Sequence, residues 1–209
     1  MTSAYSNIDR QPLSTYLEDM KTALSKVKKI YYHWTLHTES TTDEKTSYCE
    51  RVFAYELYHQ LRVIMEDDPN YKNLYLNGEP IKNNHYFTTL FDNIDKEYFN
   101  CNERNFDKTY PDLVLHEDPG TISPNGQIYL VEIKMEENPM ALSDLKKLTL
   151  LERSKLNYQA YIFIYIGNDI NSLKDKIKKS KNTEISNNII CFFYDFNSVE
   201  YGTIDCFNK

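Results

Sequence analysis

The sequence predicts an α/β domain in which a mixed β-sheet is flanked by helices, and three observations carry that expectation. Phe53, Leu57, Leu61 and Ile64 mark a single apolar stripe on a strong helix. Tyr161 to Ile166 is a nearly continuous apolar run, as expected of a strand covered on both faces. Between them lie two strand-like runs, Pro111 to His116 and Tyr129 to Lys134, separated by the turn-rich stretches Glu117-Asp118-Pro119-Gly120 and Ser123-Pro124-Asn125-Gly126. A hairpin is the economical connection for that pair. The chain has 209 residues, enough for one good core, so one domain is the default.

The elements follow in order. Thr15-Tyr16-Leu17-Glu18 fits a capping box, and Leu17, Met20, Leu24, Val27 and Tyr31 recur at helical spacing, which predicts an amphipathic helix over about 15–32. The stretch Thr35 to Ser47 is polar and rich in Thr and Ser, and reads as a loop; residues 1–47 together read as an accessory N-terminal helical extension, with 48–209 as the main domain. Ser47 and Glu50 have the spacing of a second capping box, opening the helix with the Phe53 stripe. Leu74-Tyr75-Leu76 before Asn77-Gly78 predicts a short strand, and His85 to Phe99 a helix. After the hairpin, Ser143 is placed to cap a helix carrying Leu145, Leu148, Leu151 and Leu156. A lysine-rich helix near 170–180, a strand over Asn188 to Tyr194 and a last strand over Val199 to Phe207 complete the reading.

The hairpin also carries the chemistry. Side chains alternate along a strand, so Glu132 and Lys134 share one face while Val131 and Ile133 point to the other. Asp112 starts the partner strand, so two carboxylates and an amine can be gathered around a hard cation, which takes oxygen ligands. A third carboxylate is available on the helix before the sheet. Glu50 lies seven residues before Leu57, within about 20° of it at 100° per residue, and so sits over the sheet-facing stripe. Glu56 lies about 100° from Leu57 and is the second choice.

Pro111-Asp112 on one strand followed by Glu132-x-Lys134 on the next resembles the signature of the PD-(D/E)xK nuclease superfamily, the restriction-endonuclease-like group. The order of helix, three strands, helix, strand over 48–167 is similar to that group's core. The resemblance implies a magnesium-dependent nuclease, with manganese as a substitute ion. It implies Asp112, Glu132 and Glu50 as metal ligands and Lys134 as the residue beside the attacking water and the attacked phosphate. It also implies DNA, ahead of RNA, as partner and, for a small enzyme cutting both strands, a homodimer. Asp144-Leu145-Lys146-Lys147-Leu148 resembles a pattern of the same group in which Lys147 would touch substrate phosphate, although a solvated helix face is the commoner use of such lysines.

Composition sets the limits. A formal net charge of −7 opposes phosphate binding, which comes largely from lysine and arginine. It favours the rival reading of a catalytically silent member of the fold that binds protein. Lys26, Lys28 and Lys29, and the lysines from Lys174 to Lys181, are basic runs that read first as solvated helix faces. Cys49, Cys101, Cys191 and Cys206 are too scattered for a zinc site or disulfide framework. His33 and His37 are spaced as a ligand pair only if helical, and His59 and His116 read as hydrogen-bonding neighbours of the site. No run reaches the roughly 18 apolar residues of a membrane helix, and Met1 to Arg10 lacks an apolar centre, so a cytoplasmic protein with no membrane partner is expected.

Overall fold

The computed structural model describes residues 11–31, 33–36, 45–78, 111–117, 126–135, 141–153, 157–167, 170–179, 185–195 and 198–204. In chain order these form α1 (Leu13–Lys26), β1 (His33–Leu36), β2 (Lys45–Tyr48), α2 (Glu50–Glu66), β3 (Leu74–Gly78), β4 (Leu113–Glu117) and β5 (Gln127–Met135). There follow α3 (Ala141–Arg153), β6 (Ala160–Ile166), α4 (Ile170–Lys179), β7 (Ile190–Tyr194) and β8 (Val199–Thr203). Short 3-10 turns occupy Lys29–Tyr31 and Pro69–Tyr71.

Six strands make one mixed sheet in the order β3-β4-β5-β6-β7-β8. β4 pairs antiparallel with β3 and β5, β6 runs parallel to β5 and β7, and β8 closes the far edge antiparallel to β7. The parallel pairs need crossovers, and α3 and α4 supply them. Because both crossovers step in the same direction across the sheet and such connections are right-handed, both helices fall on one face. Their buried residues accordingly share one cluster, in which Leu145, Leu148, Leu151, Leu173 and Ile177 meet Leu130, Phe163, Tyr165 and Phe193. The other face packs Leu113, Val131, Ile133, Ile162, Ile164 and Phe192 against Phe53, Leu57 and Leu61 of α2 and Met20, Ala23 and Leu24 of α1. Covered on both sides, β6 is buried at all seven positions. Although the sequence assigns 1–47 an accessory role, α1 thus contributes to the same core as α2 and the sheet.

Several boundaries and two caps differ from the sequence reading. α1 spans Leu13–Lys26 instead of about 15–32; Pro12 sits at its N-cap, Thr15 is already inside, and Glu18 accepts a hydrogen bond from the Tyr201 hydroxyl at 2.6 Å instead of completing a capping box. The polar stretch over 35–47, read as a loop, holds the end of β1 and most of β2, which pair antiparallel; residues 37–44 lie outside the described residues. The Ser47–Glu50 capping box does not form: Cys49 is the N-cap of α2 and makes no side-chain cap bond, while Ser47 belongs to β2. α3 begins at Ala141, which puts Ser143 within its first turn, and it ends at Arg153. The expected helix over 85–99 lies outside the described residues, and the last strand ends at Thr203. Among the described residues no helix is long and apolar enough to cross a membrane.

Candidate active site

Strand register places Asp112. Its backbone N–H donates to the Val131 carbonyl at 2.9 Å, and its Oδ2 accepts from the Ile133 N–H at 2.7 Å, so the carboxylate is fastened to β5 before β4 begins. Alternation along β5 does the rest. Val131, Ile133 and Met135 enter the α1–α2 core, and Leu130 enters the α3–α4 core. Glu132 and Lys134 share the parity of Leu130 and so lie on its face. β5 is an interior strand, as the apolar residues around Glu132 predict.

Two helices then bring charge to this strand. Glu50, the first residue of α2, accepts a hydrogen bond from Lys134 Nζ at 2.8 Å. Asp144 Oδ2 lies 3.4 Å from the same ammonium. The Lys147 ammonium is in direct contact with Glu132 Oε1. Asp144 and Lys147 stand three residues apart, one turn on the α3 face that also carries Leu148 and Leu151. Lys134 is thus reached from both layers, because α2 packs on one face of the sheet and α3 on the other.

Burial dominates the electrostatics. Glu132 is 3% exposed, and loss of water pushes its carboxyl up to about 8; Lys147 pulls it back, while Asp112 and Asp144 add to the rise. Desolvation likewise pushes Asp112 up to about 6, against the Ile133 N–H and the charges of Lys134 and Lys147, with Glu50 adding to the rise. For Lys134 burial works downward, but the Glu50 hydrogen bond and the charges of Asp144, Glu50 and Asp112 outweigh it and hold the ammonium above the ordinary lysine value. Counted over these six groups, four carboxylates against two ammoniums leave a formal charge of −2. Among the described residues no three acidic, His or Cys side chains are gathered as a ready ligand set; instead the lysines hold Glu50 and Glu132, and an amide holds Asp112.

Searches against family models, curated proteins and solved structures find no match to this chain. The site therefore has to be read from its own geometry.

The structure brings together all four residues singled out from the sequence, Glu50, Asp112, Glu132 and Lys134. Glu56, the second choice, accepts instead from Gln60 Nε2 one turn along α2 at 2.8 Å. Glu50→Gln is therefore expected to impair the site far more than Glu56→Gln, with both variants folded, which activity and circular dichroism measured together would check.

Lys147 corrects the reading of a solvated face: it is 8% exposed and paired with Glu132. Asp144 was missed, although its spacing to Lys147, Leu148 and Leu151 was a usable signal. His116 is buried and hydrogen-bonded through Nε2 to Asn77 at 2.7 Å, but it lies four residues along from Asp112, roughly 13 Å at strand rise, so it is not a neighbour of the cluster. His59 is exposed on α2, nine residues or roughly 13 Å of helix from Glu50. His33 lies in β1 instead of a helix, and His37 lies outside the described residues. Cys49 and Cys191 are free thiols; burial pushes Cys191 up to about 12, and Cys101 and Cys206 lie outside the described residues. Lys26, Lys28 and Lys29 are exposed, as expected of a solvated run.

Proposed function

We propose that the chain is a metal-dependent nuclease with a restriction-endonuclease-like core, hydrolysing phosphodiester bonds in DNA ahead of RNA. The observation that carries the reading is the meeting of Asp112, Glu132, Lys134 and Glu50 from a hairpin and the helix before it, at positions as far as 84 residues apart in sequence. Burying charge in this way is costly for a fold and is concentrated at functional sites. The core order α2-β3-β4-β5-α3-β6 supports the same reading.

The donor set fits a hard divalent cation: carboxylate oxygens only, a surplus of negative charge, and two carboxyls raised by burial. Asp112, Glu132 and Glu50 are the residues to hold it, and magnesium there would supply Lewis-acid polarisation of a phosphoryl oxygen and a more acidic water. Lys134 acts as a cation. Held above its ordinary pKa, it keeps its proton and serves as a donor to the charge that builds on the attacked phosphate, not as the base. Asp112, fixed by the Ile133 amide, and Glu50, the first residue of a 17-residue helix packed on the sheet, are held by rigid elements, so little reorganisation is needed at the moment of reaction. Water adds to phosphorus, one ester P–O bond breaks, and the departing oxygen takes a proton.

A catalytically silent binding module is the second reading, and the net charge of −7 favours it because it repels a phosphate backbone. Incubating the protein with supercoiled plasmid and with single- and double-stranded DNA and RNA separates the two. Cleavage in roughly 10 mM magnesium that stops in excess chelator supports the nuclease, since an ion of roughly millimolar affinity is then nearly saturating. Absence of cleavage of every substrate, or undiminished cleavage in chelator, sinks it.

A further inference from the structure

Lys134 is flanked by two carboxylates, and they hold it unequally. Glu50 Oε1 accepts its hydrogen bond at 2.8 Å, while Asp144 Oδ2 stands 3.4 Å from the same Nζ, an ion pair longer than a hydrogen bond. Their surroundings differ as well. The Glu50 side chain is 29% exposed and that of Asp144 14%, and Asp144 Oδ2 itself is buried and accepts no hydrogen bond. A buried carboxylate oxygen in that state is costly, and a neighbouring ammonium is the donor that relieves it. Position favours the same pairing. Lys134 lies on the sheet face that α3 covers, Asp144 is in the first turn of α3, and the fully buried Leu145 and Leu148 fix that turn against the sheet. Glu50 reaches the ammonium from the opposite layer.

On the metal-site reading above, on which this inference rests, Glu50 has two competing roles, because an ammonium and a divalent cation at one carboxylate repel each other. We propose that Asp144 is the second anchor of Lys134: when Glu50 is drawn to the ion, the Lys134 ammonium passes its hydrogen bond from Glu50 Oε1 to Asp144 Oδ2 and stays in place to meet the charge that builds on the attacked phosphate. The step is short. Closing the 3.4 Å separation to a charge-assisted hydrogen bond takes a movement of about 0.5–0.7 Å. Asp144 is then a positioning residue, acting through Lys134 and touching neither ion nor substrate.

The test follows the Lys134 ammonium in proton–nitrogen correlation spectra of the full chain, where a lysine held in an ion pair exchanges its protons slowly enough to be seen; the signal missing from Lys134→Arg identifies it. In wild type the signal is expected both without and with roughly 10 mM magnesium, shifted by the ion. In Glu50→Gln, which leaves Asp144 as the carboxylate beside the ammonium, it is expected without any ion. In Asp144→Ala it is expected without magnesium, where Glu50 holds the ammonium, and is lost with it. Asp144→Asn, which keeps the side-chain shape, guards against a folding defect and is expected to behave as Asp144→Ala does; circular dichroism confirms that each variant used is folded. Cleavage gives a second readout: a folded Asp144 variant should lose roughly 10- to 100-fold in kcat, the cost of a misplaced group, at an unchanged half-saturating magnesium concentration. Four results overturn the inference and leave a metal site standing: loss of the signal from wild type with magnesium or from Glu50→Gln, its survival with magnesium in a folded Asp144 variant, an undiminished kcat there, or a raised half-saturating concentration, which would make Asp144 a ligand. A wild-type spectrum that magnesium leaves unchanged overturns the metal-site reading itself, and this inference with it.

Discussion

Lys134→Ala and Asp112→Asn are each expected to reduce magnesium-dependent cleavage by about 100- to 1,000-fold or more, the loss that follows removal of one preorganised donor or ligand from such a site. The two losses have separate causes. Lys134→Ala removes the ammonium that Glu50 and Asp144 share, so the charge building on the phosphate goes unmet while the carboxylates remain. Asp112→Asn keeps the acceptor for the Ile133 N–H, and hence the strand register, but replaces a charged ligand by a neutral one. Single-turnover cleavage at saturating magnesium, together with circular dichroism, reads both. Residual activity within a factor of three of wild type in either folded variant would remove that residue from the mechanism.

Asp112→Asn should also be more stable than wild type in chelator, and increasingly so as the pH rises. The sign follows from the direction of the shift. Asp112 is raised from 3.8 to about 6 in the folded protein, so the folded state holds its proton more tightly than the unfolded one. The stability this contributes is fully present below pH 4 and is lost as the pH rises through 6. Glu132, raised to about 8, extends the decline in wild type to about pH 8. Asparagine resembles the protonated acid and escapes the first part of the loss. A shift of about two pKa units corresponds to roughly 3 kcal/mol, which for a chain of this size is roughly 6–12 °C in melting temperature. The two melting curves should therefore coincide near pH 4 and separate above pH 6, with the variant higher. Magnesium should close the gap by stabilising wild type alone. Curves that stay parallel from pH 4 to 8 would show that Asp112 is not under the electrostatic load described.

Where residues alternate or repeat along one element, the sequence was a sufficient guide. The apolar run at Tyr161 to Ile166 is the fully buried strand β6, Glu132 and Lys134 do share a face of β5, and the seven-residue phase from Glu50 to Leu57 does bring Glu50 to the sheet. What was illegible depends on tertiary placement. β1 does alternate, with Trp34 and Leu36 set between His33 and Thr35, but four residues beside a Thr- and Ser-rich run are a short signal, and β2, Lys45-Thr46-Ser47-Tyr48, shows no apolar alternation. Both proposed capping boxes have the right letters, yet the helices start elsewhere. α1 begins directly after Pro12, and α2 begins at Glu50, whose side chain is engaged by Lys134 and so cannot close a box with Ser47. Lys147 was misread because a lysine is almost never buried unless paired, and its partner Glu132 is distant in sequence. The helical phase linking Asp144, Lys147, Leu148 and Leu151 was the available clue, since a charged pair on the apolar side of a helix must meet compensating charge.

The most direct measurement is the anomalous scattering of manganese in a crystal of the wild-type protein grown or soaked with the ion. The account predicts an anomalous peak at the carboxylates of Asp112, Glu132 and Glu50. A crystal at millimolar manganese with no peak at these carboxylates, or with its only peak elsewhere on the surface, would contradict it.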